Sequence, residues 1–218
     1  MICASVAEST CKAMAERARS CACDIVELRL DFLSEPLNPK AFSQLGKPVI
    51  ATCMPAWEGG GFTGTEGERA ILLEKALSFA DYITVELKTE PEKRDSLIRQ
   101  AKKRKVKVIV AYHDFKKTPA PGEIRGILAD EESCGADVAK IAFTAKDEDD
   151  VLRTLHPLVE ENQIPVIPIS MGDKGKASRV LGPLLGAYLT YGFPDGGQPA
   201  GPGQMSVGEL KSIMGGLS

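Results

Sequence analysis

Residues 138–171, VAKIAFTAKDEDDVLRTLHPLVEENQIPVIPISM, decide the fold class of this 218-residue chain. The stretch opens with Val138–Phe143, a short run rich in Val, Ile and Ala, as strands buried on both faces are. Asp147–Asp150 then put negative charge ahead of Val151, Leu152, Leu155, Leu158 and Val159, which suits a helix N-terminus. A second apolar run, Pro165–Met171, follows. Strand, helix and strand in succession make a parallel crossover unit.

The same alternation extends in both directions. Ile2–Val6, Asp24–Asp31, Pro48–Met54, Tyr82–Leu87 and Val106–Tyr112 precede the unit, and Ala187–Phe193 follows it. Helix signals lie between them. Thr65 and Glu68 form a capping box ahead of Ile71, Leu72, Ala76 and Leu77. Pro91 opens a helix carrying Leu97, Ile98 and Ala101. Ser206 and Glu209 form another capping box before Leu210, Ile213, Met214 and Leu217, while Asn38-Pro39 opens a much shorter helix. Eight strands alternating with about eight helices predict an α/β protein, a single (β/α)8 TIM barrel over residues 1–218. A Rossmann sheet needs GxGxxG after its first strand, and that turn here reads AESTCK, without glycine.

Composition narrows the function. Hydrophobic residues make up 43% and charged residues 26%, too apolar for a disordered chain. Lys+Arg 27 against Asp+Glu 30 leaves a net charge of −3, which argues against nucleic-acid and anionic-membrane partners. The basic run Lys102–Lys107 reads as cations in the last turn of a helix. Six cysteines at 3, 11, 21, 23, 53 and 134 have no CxxC spacing and lie far from His113 and His156, so no metal site is expected and the thiols read as reduced. MICASVAEST lacks a basic region followed by an apolar run, and no run approaches the ~18 apolar residues of a membrane span, so a cytoplasmic protein is expected. Ser170–Ser178 contains a GK pair, but a phosphate loop needs Gly at 170 and Ser or Thr at 177, where the chain has Ser170 and Ala177.

Active sites of such barrels sit at the C-terminal ends of the strands. Period 2 along ELRLD puts Glu27, Arg29 and Asp31 on one face, aimed into the barrel mouth, with Leu28 and Leu30 facing the helices. A structural ion network and a functional cluster both fit these charges. The fourth strand offers Glu86, the fifth runs into His113-Asp114-Phe115, and the sixth holds Lys140 within an apolar strand. Burial there would favour the neutral amine that attacks carbonyls; a lysine reaching solvent from the strand end is the alternative. His113 and Lys140 make a usable pair, one moving protons near neutral pH and the other forming an imine. His156, before Pro157 near the end of an amphipathic helix, reads as a surface residue.

ELRLD at the second strand, EGG after the third, YHDF after the fifth, VAKIAF at the sixth, MGDKGKASR after the seventh and PGQ before the last helix occur in order. Together they resemble type I 3-dehydroquinate dehydratase, the Schiff-base hydro-lyase of the shikimate pathway, from Ser5 to Gln204. The resemblance implies a cofactor-free and metal-free barrel that converts the small molecule 3-dehydroquinate to 3-dehydroshikimate. It implies Lys140 as the imine-forming lysine, His113 as the general acid and base, and Glu58 as the residue holding that histidine. It implies Arg179 as the carboxylate anchor, Glu27 and Arg29 on substrate hydroxyls, and Ser5 and Gln204 as further contacts. Two positions depart: Met54 stands where bacterial members usually have arginine, and Ala200 where they have serine. A class I aldolase would also explain Lys140, though not the ordered set of Glu27, Arg29, His113 and Arg179. A non-catalytic metabolite-binding barrel would be favoured only by Met54 and Ala200. A homodimer is compatible with the sequence, which does not decide the oligomeric state. The glycine-rich loop Gly59–Gly67 has the composition of a mobile segment.

Overall fold

The structure is a computed structural model describing residues 1–217. Eight parallel strands lie where the apolar runs place them: β1 Ile2–Val6, β2 Ile25–Arg29, β3 Val49–Thr52, β4 Tyr82–Glu86, β5 Lys107–Asp114, β6 Val138–Thr144, β7 Val166–Met171 and β8 Thr190–Gly192. Between and after them run α1 Cys11–Ser20, α2 Glu66–Ala76, α3 Pro91–Lys103, α4 Pro121–Ser133, α5 Glu148–Leu155, α6 Ser178–Leu184 and α7 Val207–Gly215. The connection from β2 to β3 carries only short 3-10 turns, of which Pro39–Phe42 is capped by the Asn38 side chain. The hydrogen-bonded order is β7-β6-β5-β4-β3-β2-β1-β8. The seam between β8 and β7 is bridged by Tyr188 N–H donating to Val166 C=O at 3.0 Å.

Side-chain chemistry read from the strand starts upward explains where the site lies. Inward positions near the strand starts are Cys3, Ile25, Ile50, Ile109, Val138, Ile167 and Leu189, which pack together as an apolar floor. Two residues further along, the inward positions become Ser5, Glu27, Thr52 and Lys140, with Thr84 beside them. Outward positions, among them Val26, Leu28, Ile83, Val85 and Val108, pack against Met14, Leu73, Leu97 and Ala101 of the helices. The helix starts match their sequence signals: Thr65–Glu68 and Ser206–Glu209 form complete capping boxes, and Asp147 accepts from Asp150 N–H at 2.9 Å.

Three strand ends differ from the sequence reading. β2 stops at Arg29 because Leu30–Phe32 turn into a 3-10 helix, which folds Asp31 back onto Arg29 instead of sending it into the mouth. β5 runs on through His113 and Asp114, since β6 is long enough to offer Ala142 and Phe143 as partners. β8 shortens to Thr190–Gly192, paired along β1 only. Among the described residues no helix is long and apolar enough to cross a membrane.

One outer-layer residue contradicts simple patterning. Glu131 of α4 is fully buried, neither of its carboxylate oxygens has a hydrogen-bond partner, and burial pushes its pKa well above the ordinary glutamate value. The unfolded chain ionises at the usual ~4.3 while the folded chain keeps the proton, so this group costs stability as pH rises beyond that value. Glu131→Leu should therefore stabilise the protein by about 1–3 kcal/mol near neutral pH, with much of the gain lost at about pH 4. Urea unfolding at both pH values measures this, and an equal gain at both would show that the carboxyl is not held protonated.

Candidate active site

One cavity at the C-terminal ends of the strands, about 710 Å³ counting its open mouth, collects the polar residues of the barrel. Lys140 rises from β6 into it, 7% exposed, with Nζ 3.7 Å from Glu27 Oε1 and 4.1 Å from the centre of the Tyr191 ring. The strand around Lys140 is apolar, as its sequence says, but the amine itself meets a carboxylate and an aromatic face supplied by β2 and β8.

Glu27 is held from below. Ser5 Oγ donates to its Oε2 at 2.6 Å, Thr52 Oγ1 donates to Oε1 at 3.0 Å, and Thr84 Oγ1 lies 2.8 Å from the Thr52 hydroxyl. Burial alone would raise the Glu27 pKa. The Lys140 and Arg29 cations and the two hydroxyls outweigh it and leave the carboxyl below its ordinary value.

His113 faces the same cavity from β5. Its ring stacks with Phe115, centroids 6.1 Å apart and planes 16° from parallel. Burial is the main cause that lowers its pKa below 6.5; Glu58 acts in the opposite sense, and the Lys140 and Arg29 cations reinforce the lowering. Glu58, on a short 3-10 turn after β3, accepts from the His113 backbone N–H at 2.7 Å. Its Oε1 is 3.6 Å from Nδ1, beyond hydrogen-bonding distance, and Nδ1 has no other partner. Gly59 ends this turn at φ +87, and a Cβ there would come within 2.5 Å of the Phe115 ring, so glycine lets Phe115 pack beside the histidine. On the far side of Glu58, Lys88 Nζ lies 3.4 Å from Oε2, 3.3 Å from the His113 carbonyl and 3.9 Å from the Tyr112 ring centre.

The arginines differ in what they have left to offer. Arg29 Nε and Nη2 donate to the two Asp31 oxygens at 2.9 and 2.6 Å, which leaves Nη1, 3.5 Å from the Ala200 carbonyl, as its free edge. Arg179 on α6 is 3% exposed, its Nε has no partner, and Nη2 reaches only the Pro202 carbonyl at 3.4 Å. Burial drops its pKa to about 10. A buried guanidinium without an acid beside it has donors that suit a carboxylate.

These groups converge at strand ends along nearly the whole chain, and the chain-wide match agrees: the type I 3-dehydroquinase family model matches residues 2–217. The chain belongs to the type I 3-dehydroquinase family. A 3-dehydroquinate dehydratase of Desulfotalea psychrophila is 34% identical over 216 residues, covering 97% of this chain and 96% of that protein. The 3-dehydroquinate dehydratase structure from Geobacillus kaustophilus superposes with a TM-score of 0.90 at 27% identity, covering 99% of this chain and 90% of that one. The type I enzyme from Clostridium difficile gives a TM-score of 0.88 at 31% identity, covering 99% and 91%.

Within this type I 3-dehydroquinase, Glu27, Arg29, His113, Lys140, Arg179 and Gln204 line one cavity together with Met54 and Ala200. Ser5 lines its floor with its hydroxyl committed to Glu27. Gln204 Oε1 accepts from the Ala200 N–H at 2.8 Å, closing the loop before α7 over the mouth. Glu58 stands behind His113 rather than in the cavity wall. His156 is surface-exposed, 3.3 Å from Glu160. Among the described residues no group of three His, Cys, Asp or Glu side chains is placed to hold a metal ion.

Sequence reasoning missed Thr52, Thr84, Phe115, Tyr191 and, above all, Arg69. Arg69 of α2 is 1% exposed and donates to Glu86, to Glu66, to Thr89 Oγ1 at 2.7 Å and to the Cys53 carbonyl at 3.3 Å. Its partner Glu86 lines the cavity, fully buried, its pKa raised to about 7 by burial against the pull of Arg69. Arg69→Met leaves Glu86 buried without a counter-charge and should cost about 3–5 kcal/mol, whereas the double change Arg69→Met/Glu86→Leu should recover part of that loss. Urea unfolding of both variants decides; a single variant as stable as the wild type would remove Arg69 from the network.

Proposed function

We propose that Lys140, His113 and Arg179 divide the work of the dehydration between covalent attachment, proton transfer and anchoring. The chain is a 3-dehydroquinate dehydratase, a hydro-lyase of the shikimate pathway. The observation that carries the residue assignment is the shared cavity. It holds one amine, one imidazole at lowered pKa and one buried guanidinium without an acid partner.

The chemistry follows from those three groups. Lys140 Nζ passes a proton to His113 and adds to the substrate ketone, and the same proton returns to the adduct's hydroxyl, which leaves as water to give a protonated imine. That cation withdraws electrons from the neighbouring carbon, so a weak base can remove its proton and form an enamine. His113 is that base: its lowered pKa keeps the imidazole neutral near pH 7. The enamine electrons then expel the hydroxyl on the next carbon, and His113 returns its proton to the departing oxygen. Hydrolysis of the conjugated imine frees the enone product and restores the lysine. The substrate stays tethered throughout, so one imidazole serves successive steps without losing its partner. Glu27, gripped by Ser5 and Thr52, stands beside Lys140 and balances the charge of its ammonium between turnovers. Covalent capture has a parallel in the Clostridium difficile relative, whose structure contains covalent modified comenic acid.

Arg179 takes the substrate carboxylate, with the free edge of Arg29 and the amide of Gln204 facing the same space. Met54 and Ala200 present a thioether and a methyl group at the mouth, so fewer polar donors hold the substrate here and a larger share of orientation falls on Arg179.

Three expectations test this reading. Loss of His113 removes the proton carrier: His113→Ala should lower kcat by at least about 10²–10⁴-fold while retaining the fold. In the wild type, kcat/KM should fall on acidification only below about pH 6.5, because burial lowers the histidine pKa and the base form persists to lower pH. Following the enone absorbance of 3-dehydroshikimate across pH measures both; near wild-type turnover in His113→Ala refutes the role. Separately, Arg179→Lys keeps the charge but loses the fork and should raise KM about tenfold or more, while Met54→Arg should leave turnover intact. Steady-state kinetics of the two variants would overturn the placement if Arg179→Lys behaved as wild type while Met54→Arg abolished activity.

A further inference from the structure

At the opposite end of the barrel from the cavity, Cys21-Ala22-Cys23 connects the end of α1 to the start of β2. Cys21 has extended backbone, φ −73 and ψ 127, and its N–H caps α1 by donating to the Arg17 carbonyl. Residues two apart on extended chain point the same way, so the two thiols share one side. Cys23 Sγ lies 3.8 Å from the Cys21 carbonyl oxygen. Lys47 anchors its ammonium beside the pair, on the carbonyls of Cys21 and, at 3.1 Å, Ala18.

The two thiols are unequal. Cys21 is buried, while Cys23 is half-exposed. The neighbouring Cys21 side chain brings Cys23 to about 7, against burial and with help from Lys47. The Cys23 side chain, together with burial, pushes Cys21 up. The other four cysteines lack this arrangement. Cys3 and Cys53 are fully buried, Cys11 is tied to the Pro36 carbonyl and the Asn38 N–H, and Cys134 is half-buried with its pKa raised by burial.

We propose that Cys21 and Cys23 form a thiol–disulfide couple that reduces a low-molecular-weight disulfide and closes into an internal disulfide. The Cys23 thiolate attacks one sulfur of the small disulfide, forming a mixed disulfide and releasing one thiolate. That thiolate takes the proton of Cys21. The Cys21 sulfur then attacks Cys23 Sγ and expels the second small thiolate, which picks up a proton from water. Two protein thiols are oxidised and one disulfide is reduced to two thiols. Exposure and acidity make Cys23 the attacking residue and Cys21 the resolving one. A ring closed across a single intervening residue is strained, which makes the bond easy to reduce again.

The test uses the native protein and glutathione disulfide, followed by alkylation, trypsin and mass spectrometry. Both cysteines fall in one peptide, Ser20–Arg29. In the wild type that peptide should become lighter by two hydrogens and resist alkylation before Cys134 reacts. In Cys21→Ser the same peptide should instead retain one glutathione on Cys23. A wild-type peptide that stays open to two alkylations, or that stops at the mixed disulfide, overturns the proposal, as does reaction at Cys134 first.

Discussion

A charge carried into the barrel must find a counter-charge there, and the pairing of Lys140 with Glu27 meets that requirement inside the cavity. Glu27 can act as that partner because β1 and β3 supply Ser5 and Thr52 at the right level to hold both of its oxygens. The other buried charges follow the same rule: Arg29 is matched by Asp31, and Arg69 by Glu86 and Glu66. Arg179 breaks it. Isolated burial of a cation is costly unless a partner arrives, and in the proposed mechanism the substrate carboxylate is that partner.

The same rule explains the layering. Inward positions change from Ile25, Ile50 and Ile109 at the floor to Glu27, Thr52 and, one step higher, His113 at the mouth. Strand period fixes which side chains share this column, so a one-residue slip in β2 would turn Glu27 and Arg29 toward the helices and Leu28 into the cavity. The outer core formed by Val26, Leu28 and Leu30 against Met14 and Phe42 opposes such a slip. Function and stability thus rest on one register, with the apolar half of each strand holding the polar half in place.

Much of this was legible in the chain. Eight apolar runs, the helix caps and the parity of Glu27 and Arg29 are local signals, and each of them agreed with the fold. Lys140 and His113 stood out as polar residues inside or ending apolar strands. What escaped reading depends on distant partners. Arg69 looks like one more cation on an amphipathic helix until β4 brings Glu86 beneath it. Thr52 and Thr84 are ordinary strand residues until the barrel aligns them with Glu27. Asp31 continued the inward alternation on paper, but the 3-10 turn at Leu30 redirected it. The polar surroundings of the Lys140 amine come from β2 and β8, which no pattern within β6 could reveal.

The claim on which the account stands is that Lys140 bonds covalently to the substrate. Reduction of the native protein with borohydride in the presence of 3-dehydroquinate, followed by peptide mass mapping, tests it most directly. Alkylated lysine blocks trypsin, so the account predicts one reduced adduct on a peptide running from Gly126 through Lys140 to Lys146. An adduct on Lys88, the lysine beside Glu58, or no adduct under conditions of turnover, would contradict it.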